Sequence, residues 1–391
     1  MTENTSIQPY RIDIPQADLD FLQARLDTTR WPDEATGVGW DYGIPLAYMQ
    51  DLAAYWRDEY DWRAQEAFLN TFPQFTTVID GQNVHFLHVR SPEPTATPMI
   101  ITHGFPSSVV EFLDVIGPLT DPQAHGGAAG DAFHLVIPAM PGFGFSGPTP
   151  EPWEPRRIAQ AWAELMHRLG YDKYLAQGGD WGHMVSLELG RIDADHVIGV
   201  HVNNVMAAPT GTPGELDGLS ADDRRRLDKQ AGFSNRPIAA GGTVQAARPQ
   251  TLAYGLTDSP VGQLAWILDP IRECADLTGV PEDVFDRNRL LTNVMMYWIT
   301  GTASSSARQY KLVSAMFARH SPTTFPLAVA VYHNDIGEAI RRLVDRDHKN
   351  VVRWMEFDHG GHYPAWEQPA TFTADLRGYL RDLREAGILA D

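Results

Sequence analysis

The sequence predicts an α/β fold in which a mostly parallel central sheet is covered by helices on both faces. Short apolar segments typical of buried strands alternate with amphipathic helical segments across residues 95–206, and again across 322–391. Such βαβ alternation favours parallel strands, because each crossover returns the chain to the same edge of the sheet. The intervening residues 207–321 lack convincing strands, and we expect them to form a helical lid over the strand ends.

Residues 1–94 are predicted to form an N-terminal extension. Apolar residues recur there at helical spacing in two stretches: Leu19, Leu22, Leu26, and then Leu46, Met49, Ala53, Trp56. They predict amphipathic helices that wrap another part of the molecule. The extension ends in FTTVIDGQNVHFLHV, where the Asp80-Gly81 pair between two strand-like runs predicts a β-hairpin.

The core elements follow one another in the expected alternation. The predicted strands are PMIIT, FHLVIP, KYLAQGG, VIGVHVNNV, FPLAVAV and NVVRWMEF. Helices are predicted from apolar stripes at 158–169 and 372–383, and from WGHMVSLELGRI. In the lid, APTGTPGELDG and AAGGTVQAARPQ are expected to be loops, because glycine and proline are frequent in them.

The chain has 391 residues, of which 50 are acidic and 31 basic, giving a formal net charge of −19 at pH 7. This charge repels phosphate backbones and anionic surfaces, so nucleic acid is an unfavourable partner. There is no apolar run of about 18 residues and no signal-like N-terminus, so we expect a cytoplasmic protein without a membrane span. The single cysteine, Cys274, excludes an internal disulfide and a cysteine-based metal cage.

The stretch Gly178-Gly179-Asp180-Trp181-Gly182 lies between a predicted strand and a predicted helix. In that setting, the small-x-nucleophile-x-small pattern is typical of the nucleophile elbow of α/β-hydrolases, with aspartate where serine is usual. The alternative is that Asp180 only caps the helix. A carboxylate nucleophile attacks a saturated carbon bearing a leaving group, such as an epoxide oxygen or a halide, and water then hydrolyses the resulting ester.

Ester hydrolysis requires a general base and an acid that orients it, and in this fold both follow the nucleophile along the chain. His362 in HGGHYPAW, just past the predicted strand NVVRWMEF, is the expected base, and His359 is its nearby competitor. Asp335, after the predicted strand FPLAVAV, is the expected acid. Glu338 remains its alternative, and Asp335 would otherwise be a turn residue.

The oxyanion formed when water attacks the ester requires amide donors. The N–H of Trp181 follows the nucleophile directly, and the N–H of Phe105 in THGFPSS is the expected second donor. Residues 142–147 match the pattern G-x-G-x-x-G, but PTPEPWEP follows instead of a helix. Dinucleotide binding is therefore not expected.

Taken together, these residues resemble the microsomal-type epoxide hydrolases, which are α/β-hydrolases with an epoxide-hydrolase N-terminal domain. The resemblance covers nearly the whole chain through RWPDE, HGFPSS, PAMPGFGFSG, GGDWG, LAYGLTDSPVGQLAWI, LLTNVMMYW, SSSARQYK and FDHGGHYPAWEQP. GGDWG is shared with haloalkane dehalogenases, whereas the lid stretch and the C-terminal motif are much more specific.

The resemblance implies Asp180 as the nucleophile, His362 as the base that activates water, and Asp335 as the acid, where many relatives have glutamate. It also implies that Tyr310 in SSSARQYK is a lid tyrosine that hydrogen-bonds the epoxide oxygen. A phenol is a proton donor at neutral pH, which agrees with this role. The alternative is that Tyr310 only packs in the lid.

The chain departs from the resemblance at one position. Relatives usually carry a second lid tyrosine, and the matching position here is Gly241, unless a gap in this glycine-rich stretch has displaced the match. Either Tyr254, Tyr297 or another donor replaces it, or one tyrosine suffices, or the activity has moved away from simple epoxide hydrolysis.

The sequence therefore predicts conversion of a small-molecule epoxide and water to a vicinal diol, without a metal or an organic cofactor. Many bacterial relatives act on bulky epoxides in natural-product pathways, and the resemblance extends loosely to them. The alternatives are a haloalkane or haloacid dehalogenase with the same Asp-His pair, and a catalytically silent ligand-binding protein. A homodimer is a possible state. The residues expected to contact substrate, each with core packing as its alternative, are Trp181, Trp266, Met295, Met296 and Trp298.

Overall fold

A computed structural model of the chain describes residues 6–205, 207–312 and 322–389. The strands are β1 (Gln8–Tyr10), β2 (Gln74–Ile79), β3 (Gln82–Val89), β4 (Thr97–Thr102), β5 (Phe133–Pro138), β6 (Tyr174–Gly178), β7 (Val197–Asn203), β8 (Leu327–Tyr332) and β9 (Val351–Phe357). The α-helices are α1 (Gln16–Asp27), α2 (Leu46–Asp58), α3 (Trp62–Leu69), α4 (Leu113–Thr120), α5 (Pro155–Arg168), α6 (Trp181–Ile192), α7 (Ala221–Ala231), α8 (Pro237–Ala247), α9 (Pro249–Asp258), α10 (Pro260–Cys274), α11 (Arg287–Trp298), α12 (Ala303–Gln309), α13 (Arg341–Asp347), α14 (Pro364–Glu367) and α15 (Pro369–Glu385).

All of these strands belong to one sheet in the order β1-β2-β3-β5-β4-β6-β7-β8-β9. From β5 to β9 every neighbouring pair is parallel, and the antiparallel pairs lie on the β1 side. The prediction of a mostly parallel sheet flanked by helices is confirmed. The carboxyl ends of β4, β6, β7, β8 and β9 lie along one edge, where loops can bring polar residues together.

The predicted hairpin is formed by β2 and β3. Its two turn residues, Asp80 and Gly81, have φ values of 50° and 74°. Both values are positive, as a type I′ turn requires, and this turn matches the twist of the strands it joins. The hairpin also pairs with β1, which the sequence pattern did not predict because a three-residue strand is too short to show alternation.

The core is built on the apolar faces of the predicted helices. In α5, Ile158, Trp162, Leu165 and Met166 are all fully buried. The indole N–H of Trp162 donates to the Thr102 hydroxyl at 3.1 Å, so its single polar atom is satisfied inside the core. This packing holds the end of β4 in place, next to the functional loops.

The second N-terminal helix, α2, is bound to the lid through side-chain hydrogen bonds. The Tyr55 hydroxyl donates to Asn288 at 2.9 Å, and the Tyr48 hydroxyl donates to Glu282 at 2.6 Å. Both partners lie in or just before α11. The extension therefore helps to set the position of the lid.

The lid contains α7 to α12, and one prediction there is wrong. AAGGTVQAARPQ is not a loop, because most of it forms α8 and the start of α9. The glycines are accommodated by packing: a Cβ at Gly242 would lie 3.6 Å from Cε1 of Tyr310, so the helix can approach this ring closely. Met206 and residues 313–321, which the prediction placed at the borders of the lid, lie outside the described residues.

No helix within residues 6–205, 207–312 and 322–389 is long and apolar enough to cross a bilayer. The longest of them, α15, has 17 residues and carries charged side chains along its length. Cys274 is a buried free thiol at the end of α10.

Candidate active site

The turn between β6 and α6 forms a sharp elbow with Asp180 at its tip. Asp180 has φ 48° and ψ −127°, a conformation that is strained for a residue with a side chain. A Cβ at Gly182 would lie 2.0 Å from the Thr102 carbonyl oxygen, and one at Gly178 would lie 2.1 Å from the Gly182 carbonyl oxygen. Both positions therefore require glycine. The sharp turn places the Asp180 carboxylate at the edge of the sheet, where a substrate can reach it.

The two oxygens of the Asp180 carboxylate have different partners. The Phe105 N–H donates to Oδ1 at 2.8 Å, and Oδ2 lies 3.2 Å from Nε2 of His362. Burial raises the pKa of Asp180, but His362 and the amides of Phe105 and Trp181 outweigh it and hold the pKa below its ordinary value. The carboxylate is therefore ionised at neutral pH, as a nucleophile must be.

His362 lies in the loop after β9 and bridges two carboxylates. Its Nδ1 is 2.7 Å from Oδ1 of Asp335, and its backbone N–H donates to the Cys274 carbonyl at 2.9 Å. The ring is buried, which lowers its pKa, but Asp335 and Asp180 raise it well above the ordinary value. The ring orientation is thus fixed by Asp335 on one side, with Nε2 directed at the Asp180 carboxylate.

Asp335 follows β8 and is itself held by two donors. The Asn204 side chain donates to Oδ2 at 3.0 Å, and the Ile336 N–H donates to Oδ1 at 2.5 Å. Asn204 lies directly after β7 with a positive φ of 59°. Asn204 was not among the predicted site residues, although its position at the end of a predicted strand was a usable signal.

The two competing residues are located elsewhere. Glu338 is fully buried but binds Arg225 through two hydrogen bonds of 2.7 Å and accepts from Lys229 at 3.0 Å. The His359 side chain is 85% exposed, and its nearest acidic contact is Asp276 at 4.0 Å. The structure thus brings Asp335, rather than Glu338, to His362, and directs His359 away from the elbow.

Tyr310 lies over the elbow from the lid side. Its ring makes edge-on contacts with Trp181 and Phe105, with centroid distances of 5.6 Å and 5.5 Å. Burial raises the pKa of the Tyr310 phenol well above its ordinary value, and the charge of Asp180 raises it further. The phenol therefore keeps its proton at neutral pH and is a candidate proton donor close to the charge of Asp180.

The other candidate lid donors do not offer a hydroxyl proton next to Tyr310 and Asp180. Tyr297 is buried and donates its hydroxyl to the Ser107 carbonyl at 2.5 Å. Tyr254 is 72% exposed on the lid surface. A Cβ added at Gly241 would have the ring of Trp266 as its nearest neighbour, at 4.0 Å. Gly241 therefore leaves open space beside Trp266 and provides no side-chain donor.

The predicted substrate contacts are distributed over different environments. Trp181 is beside the nucleophile, and Trp266 is half-buried next to Gly241. Met295 is fully buried and lines a cavity of about 260 Å³ together with residues of α1, α2 and α3. Met296 is buried and Trp298 partly buried in the core, so substrate contact by these three α11 residues stays a prediction.

Comparison with known proteins gives concordant results for the whole chain. Residues 7–112 match the family model described as Epoxide hydrolase N terminus. A Stigmatella aurantiaca protein provisionally named an epoxide hydrolase is 43% identical over 379 residues, which is 97% of this chain and 86% of its own. Epoxide hydrolase 1 of Sus scrofa is 30% identical over 97% of this chain and 89% of its own. The crystal structure of juvenile hormone epoxide hydrolase from the silkworm Bombyx mori gives a TM-score of 0.88 at 26% identity, covering 98% of this chain and 96% of that one.

Proposed function

This chain belongs to the microsomal-type epoxide hydrolase family of the α/β-hydrolase fold, and we propose that it opens its epoxide through a covalent ester on Asp180. The protein is an epoxide hydrolase, which converts a small-molecule epoxide and water to a diol. The observation that carries the proposed mechanism is the hydrogen-bonded series Asp335, His362 and Asp180, with the Phe105 amide on the far oxygen.

In the first step, Asp180 attacks one carbon of the epoxide. Its Oδ2 forms the new C–O bond, because Oδ1 is held by the Phe105 amide and becomes the ester carbonyl. The bond from that carbon to the epoxide oxygen breaks, and its electron pair goes to the oxygen. Tyr310 donates its proton to this oxygen, since an alkoxide is a poor leaving group without a proton donor.

Formation of the ester changes the state of His362. The ester is neutral, so the negative charge next to Nε2 disappears and the pKa of His362 falls. His362 releases its Nε2 proton and the Tyr310 phenolate takes up one proton, so that Tyr310 is restored and the neutral ring can then accept a proton from water. Asp335 keeps Nδ1 protonated throughout, so Nε2 is the basic nitrogen.

In the last step, water activated by His362 attacks the ester carbonyl carbon. The negative charge develops on Oδ1, to which the Phe105 amide donates in the resting state, and the Trp181 amide, which also lowers the pKa of Asp180, is the proposed second donor. Collapse of this intermediate breaks the bond between the carbonyl carbon and Oδ2. The diol leaves with Oδ2, which takes the remaining hydrogen of the attacking water, and the Asp180 carboxylate is regenerated with one oxygen from water beside a protonated His362.

The experiment that tests this proposal is trapping of the ester in the His362→Gln variant. The variant is mixed with a panel of aryl and alkyl epoxides, quenched in acid, digested, and analysed by mass spectrometry. We expect the peptide containing Asp180 to gain the mass of the epoxide, because the ester forms but is not hydrolysed. His359→Gln is the matched control and should turn over without accumulating ester. Diol formation by the native protein with no ester on Asp180 in either protein would refute the mechanism.

A further inference from the structure

One buried polar side chain in the lid has no use in the mechanism above. Gln245 in α8 is 3% exposed, and its Oε1 has no hydrogen-bond partner among the described residues. Buried acceptors without a partner are rare and cost stability, typically about 1–3 kcal/mol. A methionine of similar length would pack here without that cost, so the retained amide indicates a role beyond packing.

The face of α8 that carries Gln245 is turned toward Tyr310. A Cβ at Gly242 would lie 3.6 Å from Cε1 of Tyr310, and Gln245 is three residues further along the helix, on the same face. The Trp181 and Gln245 side chains lie close enough to the Tyr310 phenol to stabilise its ionised form, and they lower its pKa against the larger effect of burial. Because Oε1 of Gln245 is unpartnered, the amide group that can act on the phenol is Nε2, which can only donate.

Donation to the phenol oxygen determines where the phenol proton can go. A tyrosine hydroxyl has one proton and accepts through its lone pairs. When Gln245 and Trp181 donate to the lone pairs of the Tyr310 oxygen, the hydroxyl proton must point toward a third group. In the proposed mechanism this group is the epoxide oxygen. The same two donors stabilise the negative charge that the phenol oxygen gains as it gives up its proton.

We propose that Gln245 is a positioning residue that aligns Tyr310 with the epoxide oxygen, so that one lid tyrosine performs the task for which relatives usually use two. The inference rests on the proposed function, because it requires the Asp180 ester and the Tyr310 donor. It accounts for the glycine at position 241, where no second donor is available, and it requires neither Tyr254, which is exposed, nor Tyr297, which binds the Ser107 carbonyl.

Rapid-quench kinetics of Gln245→Met tests the proposal. The substrate is an aryl epoxide that the native protein hydrolyses, and the rate constants of ester formation and ester hydrolysis are measured separately. We expect ester formation to slow by about tenfold or more, the effect of losing one aligned hydrogen bond, and ester hydrolysis to stay within about twofold. The matched control is Gln263→Met, which removes another buried lid glutamine that donates to the Val294 carbonyl, away from Tyr310. It should leave the ratio of the two rate constants unchanged. Slowing of both steps by the same factor in Gln245→Met would show a merely structural role and overturn the proposal.

Addition of a tyrosine provides the second test. Gly241→Tyr in the Gln245→Met background should restore most of the lost rate of ester formation, because it supplies the donor found in relatives. In the otherwise native chain, the same substitution should change that rate by less than about threefold, and a gain of tenfold or more would overturn the proposal. Because the Gly241→Tyr single variant keeps Gln245, it still tests the proposal if Gln245→Met does not fold. If the native protein forms no Asp180 ester, the proposed function fails; if it does and Gln245→Met forms ester at the native rate, only the role of Gln245 fails.

Discussion

The two halves of the active site are held by different kinds of interaction. In the core half, which comprises Asp180, His362 and Asp335, each residue is joined to the next by a hydrogen bond of 2.7–3.2 Å. In the lid half, comprising Tyr310, Gln245, Trp266 and Gly241, ring contacts and close helix packing predominate, and one buried amide oxygen lacks a described partner. In the proposed mechanism, the core half carries out the reaction and the lid half orients the epoxide.

This difference follows from where each half is attached. The core residues follow β6, β8 and β9, whose positions are fixed by a continuous parallel sheet. The lid residues lie on α8 and α10 and directly after α12, in the segment inserted between two parts of the core. Sequence changes in the lid can therefore alter the shape of the site while the nucleophile, base and acid stay in place.

Loss of the nucleophile should have the largest effect. Asp180→Ala removes the atom that attacks the epoxide, and we expect diol formation to fall by a factor of about 10⁴ or more. Steady-state diol production, followed by chromatography, measures this. Residual turnover within about a hundredfold of the native rate would mean that water attacks the epoxide directly.

The acid should have the next largest effect, and the chain offers a matched pair. Asp335→Asn can no longer hold the His362 tautomer and should lower kcat by about 10²–10⁴-fold. Glu338→Gln should leave kcat within about twofold and instead lower the free energy of unfolding by about 1–3 kcal/mol, because Arg225 and Lys229 lose a charged partner. Kinetics and urea unfolding of both variants distinguish the assignments. The reverse pattern would make Glu338 the acid.

In the lid half, Tyr310→Phe should slow only the first chemical step. The phenol supplies the proton for the leaving oxygen, so we expect ester formation to fall by about 10²–10³-fold while hydrolysis of a preformed ester is unchanged. Rapid-quench kinetics gives both rates. An unchanged rate of ester formation would assign the donor role to a different group.

The smallest predicted effect concerns the pKa of His362. In Asp180→Asn the anion 3.2 Å from Nε2 is removed, while Asp335 remains on Nδ1. Because a neighbouring anion favours the protonated imidazole, the pKa of His362 should fall in this variant. Titration of the imidazole by NMR, with Glu338→Gln as the control for a distant carboxylate, measures the change. A pKa that stays the same or rises would contradict the proposed coupling between nucleophile and base.

The core half of the site could be predicted from the sequence because its residues carry local signals. Asp180 lies within a glycine-rich strand-to-helix turn, and Asp335 and His362 follow predicted strands. The parallel sheet then brings them together, even though His362 is 182 residues from Asp180 along the chain. These contacts agree with the sequence-based hypothesis. The variants above test whether the three residues act as nucleophile, base and acid.

The lid half could not be predicted in the same way. AAGGTVQAARPQ was expected to be a loop because local glycine preferences disfavour a helix, but packing against Tyr310 and neighbouring helices overrides them. The contact between Gln245 and Tyr310 joins residues far apart in sequence and has no motif of its own. Met295 illustrates the same point, because helical spacing alone did not indicate that it packs against the N-terminal helices.

The most direct test of the central claim is a single turnover in ¹⁸O-water with enzyme in excess over an epoxide. The ester mechanism predicts an unlabelled diol and ¹⁸O in the peptide that contains Asp180, because the diol receives its new oxygen from the carboxylate and water replaces it. Label in the diol with none in Asp180 would show that water attacks the epoxide directly, and would contradict the account.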